Sequence, residues 1–235
     1  ALETYPFINS RVQITRVEVW ITNKQNRVST TENNLRNIIA LQDLGEAQLL
    51  NIPDNEVVGV SEPNFFNVAP NTPTSNKNNK FDPNAINSNF LNNNIRDVSS
   101  ALNGFTISGI AEGIDFAKLE NARKLTPSEY TFHPQLGYLS LNQRLTNDEV
   151  LAVAYQYTIG DDVYQVGECG TDGVNATNVD PNGIPTSQAL LLKMLKSNLV
   201  VVQEPAWDLM MKNIYQIPQA YQLQQEDFKL NILYT

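Results

Sequence analysis

Four oxygen-bearing residues in one Gly-, Asp- and Asn-rich stretch are the best metal candidates in this sequence: Asp172, Asn178, Asp180 and Asn182. Positions 178, 180 and 182 alternate as the first ligands of a calcium loop do, and Gly183 falls where such a loop turns sharply. The pattern is incomplete, because the twelfth position is Ala189 rather than a bidentate acid and Pro181 fits poorly. An ordinary Asn/Asp/Gly turn explains the same residues. The single histidine, His133, precedes Pro134, which imposes extended backbone on it, and no nucleophile motif accompanies it as a triad requires. The single cysteine, Cys169, lies in Gly167-Glu-Cys-Gly170 with no nearby Lys, Arg or His in sequence to lower its pKa. One His and one Cys cannot supply the usual zinc ligand set. The paired carboxylates Asp161-Asp162 and Glu226-Asp227 adjoin turns and strands, and read as solvated charge rather than an acid/base pair. Tyr130, Tyr138, Tyr155, Tyr157, Tyr164 and Trp207 could stack on sugars, or serve as core residues and interface anchors. The expectation is therefore no catalytic residue, no bound cofactor, and no metal beyond the incomplete calcium pattern.

Composition narrows the classes further. The chain has 235 residues, 41% of them hydrophobic, enough for a sizeable core in one domain. Its formal charge of -9 disfavours a nucleic-acid partner and peripheral binding to anionic lipid, both of which want a basic face. No apolar run has the length of a membrane helix. The chain opens close to a strand with no signal peptide, which suggests a fragment of a longer protein; the missing signal then says nothing about location.

The elements that must position these residues are mostly strands. In Arg11–Ile21, Val17, Val19 and Ile21 share one face, with Arg16 and Glu18 on the other. Val12 and Ile14 fall in the opposite phase, so a bulge is expected near Thr15. Residues 37–45 carry mixed signals: Ser29 and Glu32 have capping-box spacing, while Ile38-Ile39 and Gly45 favour a strand, which is the preferred reading. Asparagine crowds residues 70–94, predicting a long, disordered-like surface loop, and residues 170–185 predict a second loop. Ile95–Leu102, stopped by Gly104, has helical spacing, and Asp115–Arg123 is strand-like or irregular. Tyr130–Leu141 reads as strand, turn and strand. In the strand that follows, Leu151, Val153, Tyr155 and Tyr157 face one way and Ala152, Ala154 and Gln156 the other, as in a half-buried antiparallel strand. Ala189–Leu195 is strand or helix by pattern, Pro205–Asn213 a short helix, and Phe228–Tyr234 a strand.

Several long strings then carry a resemblance. Asn121-Ala-Arg-Lys-Leu-Thr-Pro-Ser-Glu-Tyr-Thr-Phe-His-Pro-Gln-Leu-Gly-Tyr-Leu-Ser-Leu141 and Asp148-Glu-Val-Leu-Ala-Val-Ala-Tyr-Gln-Tyr157 resemble segments of the SprA/Sov family, giant outer-membrane proteins of Bacteroidetes. So do Glu3–Trp20, Arg36–Glu46, Tyr164–Glu168, Leu191–Ser197, Pro205–Tyr215 and Asp227–Tyr234. The resemblance implies a part of the type IX secretion translocon, which is also needed for gliding motility. The family's whole protein is a very large transmembrane β-barrel that passes folded cargo with the help of partner subunits. No catalytic residues are assigned in the family, so none carries over.

The expected fold is a β-rich α+β domain: an antiparallel, two-layer, sandwich-like arrangement with a few short helices and two long Asn-rich loops. Its expected core holds Trp20, Leu151, Val153, Tyr155, Phe228 and Ile232. Arg16, Glu18, Lys229 and Asn231 lie on outer faces that lipid would reject, so residues 1–235 read as one soluble domain of a larger outer-membrane protein. That domain would face the cell exterior or the periplasm, touching the membrane only through the barrel part of the full protein. The expected function is a non-enzymatic structural or interaction domain of a protein-translocation channel. Its expected partners are other translocon subunits and secreted cargo, with no nucleic acid. A cell-surface carbohydrate-binding module is the alternative.

Overall fold

The computed structural model describes residues 12–24, 35–42, 44, 91–105, 109–172, 174–179 and 182–211. Within them the β-branched and aromatic runs form strands: β1 (Val12–Ile21), β2 (Leu35–Leu41), β3 (Phe116–Lys124), β4 (Tyr130–His133) and β5 (Tyr138–Leu141). β6 (Leu151–Ile159), β7 (Asp162–Val166), β8 (Thr177–Val179), β9 (Pro185–Ser187) and β10 (Leu190–Lys196) follow, and one turn of helix, α1, spans Pro205–Asp208.

Five strands close into a barrel. β1 lies antiparallel to β6 along its whole length and meets β3 on its other edge at Trp20 and Ile21. β3 is antiparallel to β2, β2 is parallel to β10, and β10 is antiparallel to the start of β6, which completes the ring. β7 folds back on the second half of β6, along the edge that β10 leaves open. Closure removes the edges that an open sheet would expose.

The interior is filled by residues from all five strands, among them Trp20, Ile38, Leu119, Ala152, Ala154, Leu190 and Met194. Trp20 stands directly opposite Ala152, so the largest ring meets one of the smallest side chains. Such pairing of large and small fills a narrow barrel. Two further clusters cover the outside. Ile39, Leu41, Phe116, Tyr157, Tyr164 and Leu191 pack under Leu91, Ile95, Val98, Ala101 and Phe105. On another face, Val19, Ile21, Leu151 and Val153 pack under Tyr130, Leu139, Leu141 and Leu145, brought by the β4–β5 hairpin and the segment after it.

The sandwich-like, wholly antiparallel arrangement is therefore replaced by a closed barrel with one parallel pair and small outer hairpins. The reason is that β1 and β6 each pair along both edges, which a two-layer sandwich does not require. The expected bulge in β1 is present, with Thr15 as the extra residue between Ile14 and Arg16. Residues 35–41 form the preferred strand, and Ala189–Leu195 resolves as strand β10. The helix expected over Ile95–Leu102 is instead two 3-10 turns, Asn93–Arg96 and Ala101–Gly104. These turns fold tightly: a Cβ on Gly104 would lie 2.5 Å from the Ile95 amide nitrogen, so glycine alone fits there. α1 is shorter than the helix expected over 205–213.

Burial corrects two further expectations. The alanine face of β6 is not exposed, since Ala152 and Ala154 look into the barrel while Leu151 and Val153 are covered outside. Glu18 is only 5% exposed, because its face of β1 turns inward at the barrel mouth. Of the expected core, Trp20, Leu151 and Val153 are buried and Tyr155 is partly buried; Phe228 and Ile232 lie outside the described residues. Most of the 70–94 loop, through residue 90, and the strand expected over 228–234 also lie outside them. The second expected loop holds the β8–β9 hairpin.

Candidate functional site

A groove opens between the barrel end and the β4–β5 hairpin. The chain leaves β1 at Thr22-Asn-Lys24, and β3 ends beside it at Arg123, with Leu125 next in sequence. Two turns of the same type, Thr126-Pro-Ser-Glu129 and Thr146-Asn-Asp-Glu149, bracket the segment that covers the groove. In the first, the Thr126 amide donates to Glu129 Oε2 at 2.8 Å, and the Glu129 amide donates back to the Thr126 carbonyl at 2.9 Å. In the second, the Thr146 amide donates to Glu149 Oε2 at 2.6 Å. Each turn uses only the carboxylate half of a capping box: the Glu amide goes to the Thr backbone carbonyl, and the Thr hydroxyl donates to the Glu carboxylate. Lys196 Nζ, at the end of β10, donates to the Asn147 and Glu149 carbonyls at 3.0 and 2.6 Å and fixes the second turn to the barrel.

The resulting cavity is about 290 Å³. Ile21, Leu125, Leu141 and Leu145 give it an apolar floor, while Lys24, Arg123, Glu129, Gln143 and Arg144 stand among its polar walls. That volume lies at the low end for small-molecule sites and suits one or two side chains of a bound segment better than a large cofactor.

The charges in the walls are mostly matched. Arg123 Nη1 donates to both oxygens of Glu129, at 2.7 and 2.8 Å. Partial burial works upward on the Glu129 pKa, but the Thr126 amide and Arg123 outweigh it and hold the carboxyl below its ordinary value. Lys24 donates to Asp148 and to Thr146, and this pairing pulls the Asp148 pKa down to about 2. Arg144 is exposed and makes no ion pair among the described residues. Asn23 Nδ2 is buried without a hydrogen-bond acceptor.

Other singled-out residues lie elsewhere. At the barrel mouth, Arg16 Nη1 donates to Asp172 Oδ1 at 2.9 Å, and the Cys169 amide and Gln165 Nε2 donate to Asp172 Oδ2 at 2.9 and 2.5 Å. Burial raises the Asp172 pKa, but these donors outweigh it and hold the carboxyl below its ordinary value. Asn178 is exposed in β8, with its Oδ1 accepting from the Val179 amide at 2.9 Å. Asn182 is exposed in the turn of that hairpin, and Asp180 lies outside the described residues. The side-chain oxygens of Asp172 and the Oδ1 of Asn178 thus already accept hydrogen bonds from protein donors.

His133 stacks on Tyr138, ring centroids 4.8 Å apart, at the hairpin tip. Cys169 is fully buried, and burial among Glu18 and Asp172 pushes its thiol up to about 12. Asp161 occupies the β6–β7 turn, while Glu226 and Asp227 lie outside the described residues. The six aromatics do not share a face: Tyr157 and Tyr164 stack 5.1 Å apart in one outer cluster, whereas Tyr130 packs in the other. The sequence reading missed Asn23, Lys24, Gln143 and Arg144. The repeated Thr-x-x-Glu spacing at 126 and 146 was the signal that could have located the groove.

No curated protein matches the chain. A family model described as motility related/secretion protein matches residues 1–159, more than half of the chain and the whole span from Ile21 to Glu149 that lines the groove. The resembling strings from Tyr164 onward lie beyond that match. Among the described residues no helix is long and apolar enough to cross a membrane. The chain belongs to the SprA N-terminal family of motility-related and secretion proteins.

Proposed function

We propose that the chain is a non-enzymatic interaction domain of an outer-membrane protein-translocation channel of the type IX secretion kind, and that the groove beside the β4–β5 hairpin is its contact surface. The observation that carries this reading is the groove itself. It combines an apolar floor with a polar wall, it is built by rigid strand ends, and it falls inside the span matched by the secretion family. The perturbed ionisable groups support a structural rather than catalytic use. Glu18, Glu129, Glu168 and Asp172 are each held by named donors, and the Cys169 thiol is buried and protonated.

Its partners are other subunits of the channel or the secreted protein in transit. The test is affinity isolation of the full-length protein from its native membrane, with and without residues 126–149. Recovery of secretion subunits or cargo that depends on this segment supports the role, and recovery of neither from the intact protein sinks it.

A further inference from the structure

The chain contains two Asn-Gly pairs, Asn103-Gly104 and Asn182-Gly183, and the fold treats them differently. An asparagine before glycine is prone to close a ring on itself, because the next amide has no Cβ beside it to block approach to the side-chain carbonyl. At Asn103-Gly104 that approach is shut. Gly104 is buried, and packs so tightly on Ile95 that a Cβ would lie 2.5 Å from the Ile95 amide nitrogen. The Asn103 carbonyl accepts from Asn92 Nδ2 and the Gly104 carbonyl from the Asn92 amide, both at 2.9 Å. Asn182 and Gly183, in contrast, are exposed in the turn of the β8–β9 hairpin. Gly183 has φ 82°, open space where a Cβ would stand, and an amide that donates no backbone hydrogen bond among the described residues. At exposed Asn178 in β8, the amide that would attack is held by the residue's own Oδ1 at 2.9 Å, and it belongs to β-branched Val179.

We infer that Asn182 is a site of spontaneous covalent modification, where the folded chain converts asparagine to aspartate and isoaspartate. The Gly183 amide nitrogen attacks Asn182 Cγ. The new C–N bond forms as the Cγ–Nδ2 bond breaks, ammonia leaves with the amide proton, and a cyclic succinimide remains. Water then adds to either ring carbonyl and opens it. Opening at the backbone side of the ring routes the main chain through the side chain as isoaspartate; opening at the other side gives an ordinary aspartate. Each conversion adds one carboxylate to a chain of formal charge -9. The isoaspartate form also inserts a methylene into the main chain between the paired residues Val179 and Pro185. The hairpin is a separate two-stranded sheet, so the change stays outside the barrel ladder.

The test holds the native 235-residue chain in mildly alkaline water enriched in the heavy oxygen isotope. The two Asn-Gly peptides are then followed by mass spectrometry, with electron-transfer fragmentation to separate aspartate from isoaspartate. Asn182 should take up heavy oxygen at least about tenfold faster than Asn103, because Asn103 reacts only from a locally opened state. Both product forms should appear at Asn182, as the shared succinimide requires. In the urea-unfolded chain the two rates should converge, since the difference between the sites is set by the fold. Equal rates at both sites in the native chain, an Asn182 that converts only after unfolding, or aspartate without isoaspartate would overturn the inference.

Discussion

Replacing Arg96 by leucine should be among the most destabilising single changes available in this fold. Arg96 Nη1 donates to Glu168 Oε2 at 2.5 Å and to the Ala189 carbonyl at 3.0 Å, and Nη2 donates to Glu168 Oε1. Glu168 is 0% exposed, and its remaining donor is the Leu191 amide at 2.8 Å. The pair rivets the 91–105 turns to β10, reinforced by the Ala189 amide donating to the Arg96 carbonyl at 2.7 Å. Removing the guanidinium leaves a buried carboxylate with one donor, which costs about 3–5 kcal/mol, against a total stability of about 5–15 kcal/mol for a domain.

The double change Arg96→Leu with Glu168→Leu removes both charges and should recover much of that loss, so the two sites should show strong coupling. Burial pushes the Glu168 pKa up, with Arg96 and the Leu191 amide pulling it back, so loss of Arg96 raises it further. A raised carboxyl pKa means that the folded state binds more protons than the unfolded one, and stability falls as pH rises through that window. The deficit of Arg96→Leu against wild type should therefore shrink as pH is lowered from 7 towards the ordinary carboxylate range. Guanidinium melts followed by the fluorescence of buried Trp20 report both quantities. A deficit below about 1 kcal/mol, or one that does not change with pH, would refute the reasoning.

Three further predictions follow from local geometry. Asn121 sits at φ 49° in the β3 bulge, with its amide donating to Asn37 Oδ1 at 2.9 Å; Asn121→Val should cost about 1–2 kcal/mol in chemical denaturation, and Asn121→Gly much less. Burial raises the Glu18 pKa, but the Gly170 amide, Lys124 and Arg16 outweigh it and bring the carboxyl below its ordinary value. That stabilisation is present above the unfolded carboxylate pKa and is lost as pH falls through the folded one, so wild type should lose more stability in acid than Glu18→Gln, as read by thermal midpoints across pH. Cys169, buried and pushed up to about 12, should stay unlabelled by a thiol-specific chromogenic reagent in the native chain and react fully once it is unfolded.

What could be read from the sequence was local. The phase flip between Ile14 and Val17 located the Thr15 bulge, because a strand's side chains alternate and an extra residue reverses them. Ile38-Ile39 identified β2 through β-branching. Barrel closure was hidden because its defining contacts are remote: β2 pairs in parallel with β10, Ile38 beside Leu190, and no local pattern encodes that choice. The same gap misplaced Glu18. Alternation assigns it to the face opposite Val17 and Val19, but only closure reveals that this face points into the mouth, towards Gly170 and Lys124. At the groove, Arg144 resembles any surface arginine until β1, β3 and the hairpin are brought together around it. The family strings reached further than the physical pattern, since they named a secretion role that no side chain here states by its chemistry.

The most direct measurement places a photo-crosslinking residue at Gln143, exposed at the groove wall, in the full-length protein within actively secreting cells. The account predicts adducts to a channel subunit or a secreted protein. Absence of adducts at Gln143, while the same probe at exposed Leu102 on the distant 3-10 turns captures those proteins, would contradict it.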